Sequence, residues 1–172
     1  MERVDWNSLR SASGSSGFVP GAVRELLAAR TAPEAEVAYW KLDNSVVVQG
    51  QLFESARWVV GPLLVALSQP RAAFVRERIA NLLVEIAFGE PHERELASKG
   101  DPDLAARCID ELRKALPTFY GMLDDSTPML RLGGLDLLDA AEADRDRMAA
   151  AASGLLHDPD AKVARRAAEL AS

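Results

Sequence analysis

The sequence is poor in cysteine and in aromatic residues. Of its 172 residues only one is cysteine, at position 108, and only 6% are aromatic. A single cysteine cannot form an internal disulfide, which suits a reducing compartment, and we therefore expect a cytoplasmic protein. With no Cys-x-x-Cys pair, the sequence also excludes the usual zinc motifs, and Cys108 is interpreted as a small buried apolar residue.

Long apolar runs are absent as well. The longest covers Trp58 to Leu67, ten residues, whereas a membrane-spanning helix needs about 20. The first residues, MERVDWNSLRSASGSSG, contain no apolar core of the signal-peptide type. The sequence therefore predicts no membrane association.

Positive charge is scarce relative to negative charge. The chain has 20 basic and 26 acidic residues, a net charge of −6. Proteins that bind duplex nucleic acid need a basic surface to displace counterions from the phosphates, so this balance weighs against such a partner. The only tight basic group is formed by Arg71, Arg76 and Arg78.

Motifs of catalysis and metal binding are also lacking. The chain has no His-Glu-x-x-His, no Gly-x-Ser-x-Gly and no phosphate-binding glycine loop. His92 with Glu93 and Glu95 could in principle hold a metal, but a solvated loop is the favoured interpretation. We therefore expect a protein that is not an enzyme and that uses no metal or cofactor.

Helix-forming residues dominate what remains, with 29 alanines among them. Apolar residues recur at intervals of three and four, the spacing of one buried helical face. Residues 1–20 form a partly flexible N-terminal extension in this interpretation, and residues 21–172 form a single domain. The expected helices follow Pro20 and then cover 33–42, 51–60 continuing through 63–67, 71–88, 102–124, 128–141, 144–156 and 161–171.

Three places interrupt this helical pattern. Val46 to Val48 is the only β-like run, and with no partner strand in prospect it is interpreted as a linker or a helix start. Gly61-Pro62 marks either a break or a kink, and Pro117 does the same in the segment 102–124. The polar segment 89–101 is expected to be a loop with at most one short helix.

An internal repeat runs through these helices. Each copy has apolar residues, a polar turn with Asp or Pro, and then Val or Leu before Arg and further small or apolar residues. Three copies cover 66–83, 122–138 and 155–168, and 26–42 is a looser fourth. Alignment on Val37, Val75, Leu130 and Val163 gives spacings of 38, 55 and 33 residues.

From about residue 20 to 172 the chain resembles the HEAT-repeat family, whose second helix begins with an Asp-x-x-Val-Arg pattern and whose period is about 33–47 residues. The last copy departs from this pattern, because Ala164 stands where the family has Arg. The resemblance implies an all-α fold, a short α-solenoid of about eight helices in which stacked hairpins share one core. In addition, residues 5–67 resemble an uncharacterised group of largely actinobacterial HEAT-like proteins, which implies an accessory or immunity-type role. The matching residues are Trp6, Asn44, Gln49, Gly50, Phe53, Ser55 and Ala56.

Two groups of residues are candidate binding sites for a protein partner. The first is a polar and aromatic group, which either contacts a partner or stabilises an awkward turn over a core formed by its aromatic residues. The second lies in the acidic stretch 124–146, which is either a docking surface for a basic partner or a solvated face with helix-capping aspartates. The candidate residues in these two groups are Trp40, Asp43, Asn44, Gln49, Phe53, Asp124, Asp125, Asp136 and Asp139.

These observations together predict a non-catalytic protein-interaction module. Its sharper form is an immunity or antitoxin-like protein that binds a basic partner. The alternative is a HEAT-like DNA-repair glycosylase or another enzyme acting on nucleic acid, for which the Arg71–Arg78 group would be the binding surface. The oligomeric state stays open.

Overall fold

The computed structural model describes residues 4–97 and 100–172, and this part of the chain is mostly helical. Residues 1–3 and 98–99, which the sequence assigns to the extension and the polar loop, lie outside it. Ten helices occur among the described residues: α1 (Val19–Ala28), α2 (Ala32–Val46), α3 (Ser55–Leu67), α4 (Ala73–Ala87), α5 (Glu93–Leu96), α6 (Leu104–Arg113), α7 (Leu116–Met122), α8 (Pro128–Ala141), α9 (Arg145–Ser153) and α10 (Ala161–Leu170).

The all-α prediction is confirmed, whereas the expected number of about eight helices is too low. Pro117 divides the segment 102–124 into α6 and α7, because it lies in the first turn of α7, where its missing N–H is no loss. The short helix α5 is the second helix beyond the eight that were expected. By contrast, α3 continues through Gly61-Pro62, and burial of Val59, Val60 and Leu63 offsets the hydrogen bond that Pro62 cannot donate.

The Val46–Val48 run does have a partner strand, which corrects the prediction of a linker or a helix start. Val46 ends α2, and β3 (Val47–Val48) pairs antiparallel with β4 (Gln51–Leu52). Gln49 and Gly50 form the two-residue turn, with φ of 52° and 77°, both in the left-handed region that such hairpins need. A third strand, β5 (Glu90–Pro91), pairs parallel with β4. Residues 51–52 therefore form a strand and not the start of the helix that was expected over 51–60.

The helices pack as two rows. A first row contains α1, α3 and α6, and a second row contains α2, α4, α8 and α10, with each helix in a row contacting the next. Contacts between the rows run through the pairs α1 and α2, α3 and α4, α4 and α6, and α6 and α8, whereas α7 packs on α8 and α9 packs on α10. Leucine, valine and alanine side chains fill the space between the rows in one continuous core.

Three of the four aligned repeat positions are structurally equivalent. Val75, Leu130 and Val163 are each the third residue of a second-row helix, and each is at most 2% exposed. Val37 is the sixth residue of α2 and is 59% exposed, so its alignment with the other three is wrong. The repeat copy at 26–42 must therefore be aligned with the other three on a residue other than Val37.

The N-terminal segment packs against the helices. Within it, β1 (Arg10–Ser11) and β2 (Gly14–Ser15) form a short antiparallel hairpin, and the Ala12 amide donates to the carbonyl of Ser45 at 3.0 Å. Ser11 and Ser16 are buried. No helix in the described ranges, 4–97 and 100–172, is long and apolar enough to cross a membrane.

Candidate functional site

The first candidate group divides between the surface of α2 and the core. Trp40 is 48% exposed, packs edge-on against Tyr39 and donates its indole N–H to Glu36 at 2.6 Å. Asp43, one turn further along, accepts the Tyr39 hydroxyl at 3.2 Å. These side chains lie on the outward face of α2, where a partner can reach them, and Trp40 is not a core residue.

The other three residues of that group lie apart from this face or serve the local fold. Asn44 is exposed and donates to the Trp40 carbonyl at 2.9 Å, inside its own helix. Gln49 occupies the hairpin turn. Phe53 is only 5% exposed and stacks on His92, with ring centroids 4.7 Å apart. Phe53 is therefore a core residue, as the structural interpretation of the group predicts.

The acidic stretch 124–146 is largely engaged within the chain. Asp125 binds Arg76 at 2.6 Å and accepts the Thr127 amide at 2.9 Å, whereas Asp124 is exposed. Asp136 and Asp139, one turn apart on α8, both bind the Arg166 guanidinium at 2.7 Å. Glu142 accepts a hydrogen bond from the Tyr120 hydroxyl, and Asp144 is the N-cap of α9. These contacts match the alternative interpretation, in which many of the acids cap and cross-link helices.

The basic group is engaged as well. Arg71 donates to the carbonyls of Ala66 and Leu27, Arg76 binds Asp125, and Arg78 forms an ion pair with Glu36. These three arginines do not form a separate cationic surface.

Asp136 from the second candidate group lines a hollow in the second row. It has a volume of about 200 Å³ and lies between α2, α4 and α8. Among its lining residues are Tyr39, Asn81, Glu85, Met129, Leu132 and Asp136. Asp43, bonded to Tyr39, adds a carboxylate on the α2 side. Asp136 therefore lines the hollow directly, whereas Asp43 contacts its wall through the Tyr39 hydroxyl.

Burial and like charge raise the pKa values of the carboxyl groups around this hollow. Partial burial raises the pKa of Asp43, and partial desolvation together with the charge of Asp43 raises that of Glu85, although the Glu85 residue as a whole is exposed. Burial also raises the pKa of Asp136, despite its bond to Arg166. Neither Asp43 nor Glu85 forms an ion pair with another described residue. A cation placed here would relieve both the desolvation and the repulsion.

Sequence reasoning missed Glu85, Asn81 and Met129. The signal that could have found them is the spacing between α2 and α4. Glu36 pairs with Arg78, and Asp43 repels Glu85, and both pairs are 42 positions apart. A repeat alignment at 42 instead of 38 residues would have placed these residues side by side.

The structure offers little for metal binding or nucleophilic catalysis. In the part of the chain that it describes, no group of three His, Cys, Asp or Glu residues is placed to hold a metal ion. His92 packs on Phe53, and its Nδ1 accepts the Arg94 amide as the N-cap of α5. Cys108 is fully buried, and burial raises the pKa of its thiol to about 12, which keeps it protonated and unreactive.

Comparison with known proteins adds no assignment to this geometry. The search found no family model and no curated protein that matches the chain.

Proposed function

We propose that the chain is a non-catalytic protein-binding module whose second-row face receives a basic partner. The observation that carries the proposal is the pair Asp43 and Glu85, two neighbouring carboxylates with raised pKa values and no intramolecular ion pair among the described residues. Keeping two such groups together costs folding free energy. A basic side chain from a partner would turn that cost into binding energy.

Exposed aromatic and apolar groups beside these carboxylates support the same proposal. Trp40 and Met129 are 48% and 41% exposed, and they lie on the two helices that flank α4 in the row. Tryptophan is enriched among the residues that dominate binding energy at interfaces, and methionine adapts to irregular surfaces. The face thus combines anchors for affinity with charge for steering a basic protein.

The proposal includes a HEAT-like α-solenoid in which the second row is the concave side. The support is the row packing, the three equivalent repeat positions and the arginine–aspartate pairs between successive copies. An immunity or antitoxin-like role in the cytoplasm is the sharper form of the proposal, because such proteins neutralise partners by charge complementarity. The alternative role on nucleic acid has less support, since Arg71, Arg76 and Arg78 are occupied within the chain.

Affinity capture with a paired variant tests the proposal. The wild-type chain and an Asp43→Asn/Glu85→Gln variant are each immobilised and exposed to the lysate of the source organism at low and moderate salt. We expect one basic protein that the wild type retains at low salt and that moderate salt or the double substitution releases. An Asp110→Asn/Glu111→Gln variant is the matched control, because it removes two charges from α6 in the first row.

Two results would contradict the proposal. One is retention of the same proteins by the wild type and the Asp43→Asn/Glu85→Gln variant. The other is retention of nucleic acid alone, which would transfer support to the alternative role.

A further inference from the structure

We propose that the hollow between α2, α4 and α8 is a pocket for one arginine side chain of the basic partner, an inference that rests on the proposed function. The hollow has carboxylates on two helices, Glu85 on α4 and Asp136 on α8, and the Tyr39 ring on α2. Its volume of about 200 Å³ suits one long side chain better than a folded segment.

The lining matches each part of an arginine side chain. Met129, Leu132 and Val84 offer apolar surface to the aliphatic stem, which long basic side chains bury while their charge stays hydrated. The carboxylates of Glu85 and Asp136 can accept the guanidinium N–H groups, and charge-assisted hydrogen bonds of this kind are the stronger ones. The Asn81 amide oxygen is a further acceptor in the same wall.

The chain already binds two of its own guanidinium groups at the edges of this hollow. Arg78 lies over the Tyr39 ring, 5.4 Å from its centroid, and pairs with Glu36. Arg166 is held by Asp136 and Asp139. In both cases a guanidinium meets a carboxylate with an aromatic ring or a second carboxylate beside it. The hollow offers the same groups, the Tyr39 ring with the carboxylates of Glu85 and Asp136, and Glu85 has no ion pair with another described residue.

Charge balance at the rim leaves room for one more cation. Two carboxylates line the hollow, those of Glu85 and Asp136, and of these only Asp136 is paired with a cation of the described chain, Arg166. Asp136 uses only Oδ1 for Arg166, so its second oxygen is available to a ligand. A planar guanidinium serves this set better than an ammonium ion, because it presents five donors in one plane and packs on aromatic rings.

Two peptides of equal charge separate an arginine pocket from a general acidic face. Hexaarginine and hexalysine are titrated into the full chain by isothermal calorimetry at low salt. We expect hexaarginine to bind about tenfold more tightly, as one added charge-assisted hydrogen-bonded contact implies. Glu85→Gln should remove most of that preference. Glu77→Gln, which takes one charge from the same helix outside the hollow, should leave the preference intact.

The outcomes distinguish this inference from the function on which it rests. Equal binding of the two peptides, or an arginine preference that Glu85→Gln leaves unchanged, would overturn the pocket and leave the acidic face standing. If neither peptide binds at low salt, both the pocket and the basic-partner proposal fail. Thermal melting of both single variants verifies that each one is folded, and the exposed position of Glu85 makes a folding defect there an unexpected result.

Discussion

Arg131 on α8 holds Asp158, in the turn before α10, by two hydrogen bonds of 2.7 Å from Nε and Nη2 to the two carboxylate oxygens. Both side chains are nearly buried, at 10% and 3% exposure. Asp158 also accepts the Asp160 amide at 2.9 Å, so one carboxylate fixes the turn and fastens it to the preceding helix. The bond to Arg131 lowers the pKa of Asp158.

Arg76 and Asp125 repeat this arrangement one copy earlier. Arg76 on α4 binds Asp125 at 2.6 Å, and Asp125 accepts the amide of Thr127, the N-cap residue of α8. Arg76 and Arg131 are each the fourth residue of their helix, and Asp125 and Asp158 each precede an N-cap by two positions. The pairs therefore link successive second-row helices in the same way, α4 to α8 and α8 to α10.

Removing Arg131 should be among the most costly single changes in the chain. Arg131→Ala leaves Asp158 buried without its cation, and breaking a buried ion pair in this way costs about 3–5 kcal/mol of unfolding free energy. Chemical denaturation measures this loss. Arg145→Ala is the control, because Arg145 is 62% exposed in its pair with Asp139 and should cost less than about 1 kcal/mol. Similar losses for the two variants would show that the Arg131 pair is not a structural link.

The sequence predicted most of the helical layout because that layout depends on local signals. The segments 71–88 and 128–141 correspond to α4 and α8, and the apolar spacing alone marks both. Thr31 caps α2 by accepting the Glu34 amide at 3.3 Å, and threonine is a preferred residue at helix N-caps. Periodicity and capping act over a few residues, so a single sequence records them well.

The small sheet could not be predicted for the opposite reason. Its strands have two residues each, too short for an alternating pattern, and β5 joins β4 from 39 positions away, as in the pair Leu52 and Pro91. The hollow also could not be predicted, because it too depends on segments that are distant in sequence. It needs α2, α4 and α8 side by side, and the alignment on Val37 gave the wrong offset between the first two. Tertiary register, not local propensity, decides both features.

Replacing two helical glycines, Gly134 and Gly121, by alanine should change the stability of the chain in opposite directions. A Cβ on Gly134 of α8 would lie 3.0 Å from Met122 Cβ and 3.1 Å from the Phe119 carbonyl oxygen, both in α7. Gly134→Ala should therefore cost about 1 kcal/mol, through crowding that the backbone cannot relieve. A Cβ on Gly121 meets nothing within 4 Å, and Gly121→Ala should stabilise by about 0.4–1 kcal/mol. Thermal melting of the two variants checks the signs, and stabilisation by Gly134→Ala would show that α7 and α8 are less tightly packed.

Glu85 should lower stability at neutral pH. A carboxyl group whose folded pKa lies above its unfolded value stabilises the fold when protonated, and this contribution is lost as pH rises through the folded pKa. Because burial and Asp43 raise the pKa of Glu85, Glu85→Gln should increase the melting temperature at pH 7. The difference should shrink as pH falls through the raised folded pKa and should be gone below about 4, where glutamate is protonated in both states.

Asp158 provides the opposite sign for comparison. Its folded pKa is lowered, so its stabilisation is present above the unfolded pKa of about 3.9 and is lost as pH falls through the folded value. Asp158→Asn should therefore reduce the melting temperature at pH 7, and its deficit should diminish in acid. A Glu85→Gln variant that is less stable than the wild type at pH 7 would mean that Glu85 has a favourable partner in the folded chain.

The N-terminal hairpin depends on one buried carboxylate. Glu95 in α5 is fully buried, and Arg10 donates to both its oxygens, at 3.0 Å from Nε and 2.6 Å from Nη2. The Glu54 amide donates to Glu95 at 3.2 Å. Burial alone would raise the pKa of Glu95, but the Arg10 and Glu54 contacts outweigh it, and the pKa is lowered. Segments around residues 10, 54 and 95, which are distant in sequence, thus meet at the Glu95 carboxylate.

Arg10→Ala should destabilise the chain by about 3 kcal/mol, because it leaves that charge without a cation. Adding Glu95→Gln should recover part of the loss, since the amide oxygen still accepts the Glu54 N–H and no buried charge remains. Hydrogen exchange at the Ala12 amide, which bonds to Ser45 across the docking contact, reports on the hairpin directly. We expect faster exchange in Arg10→Ala and partial protection in the double variant. Unchanged protection of Ala12 in Arg10→Ala would show that the hairpin stays in place without the ion pair.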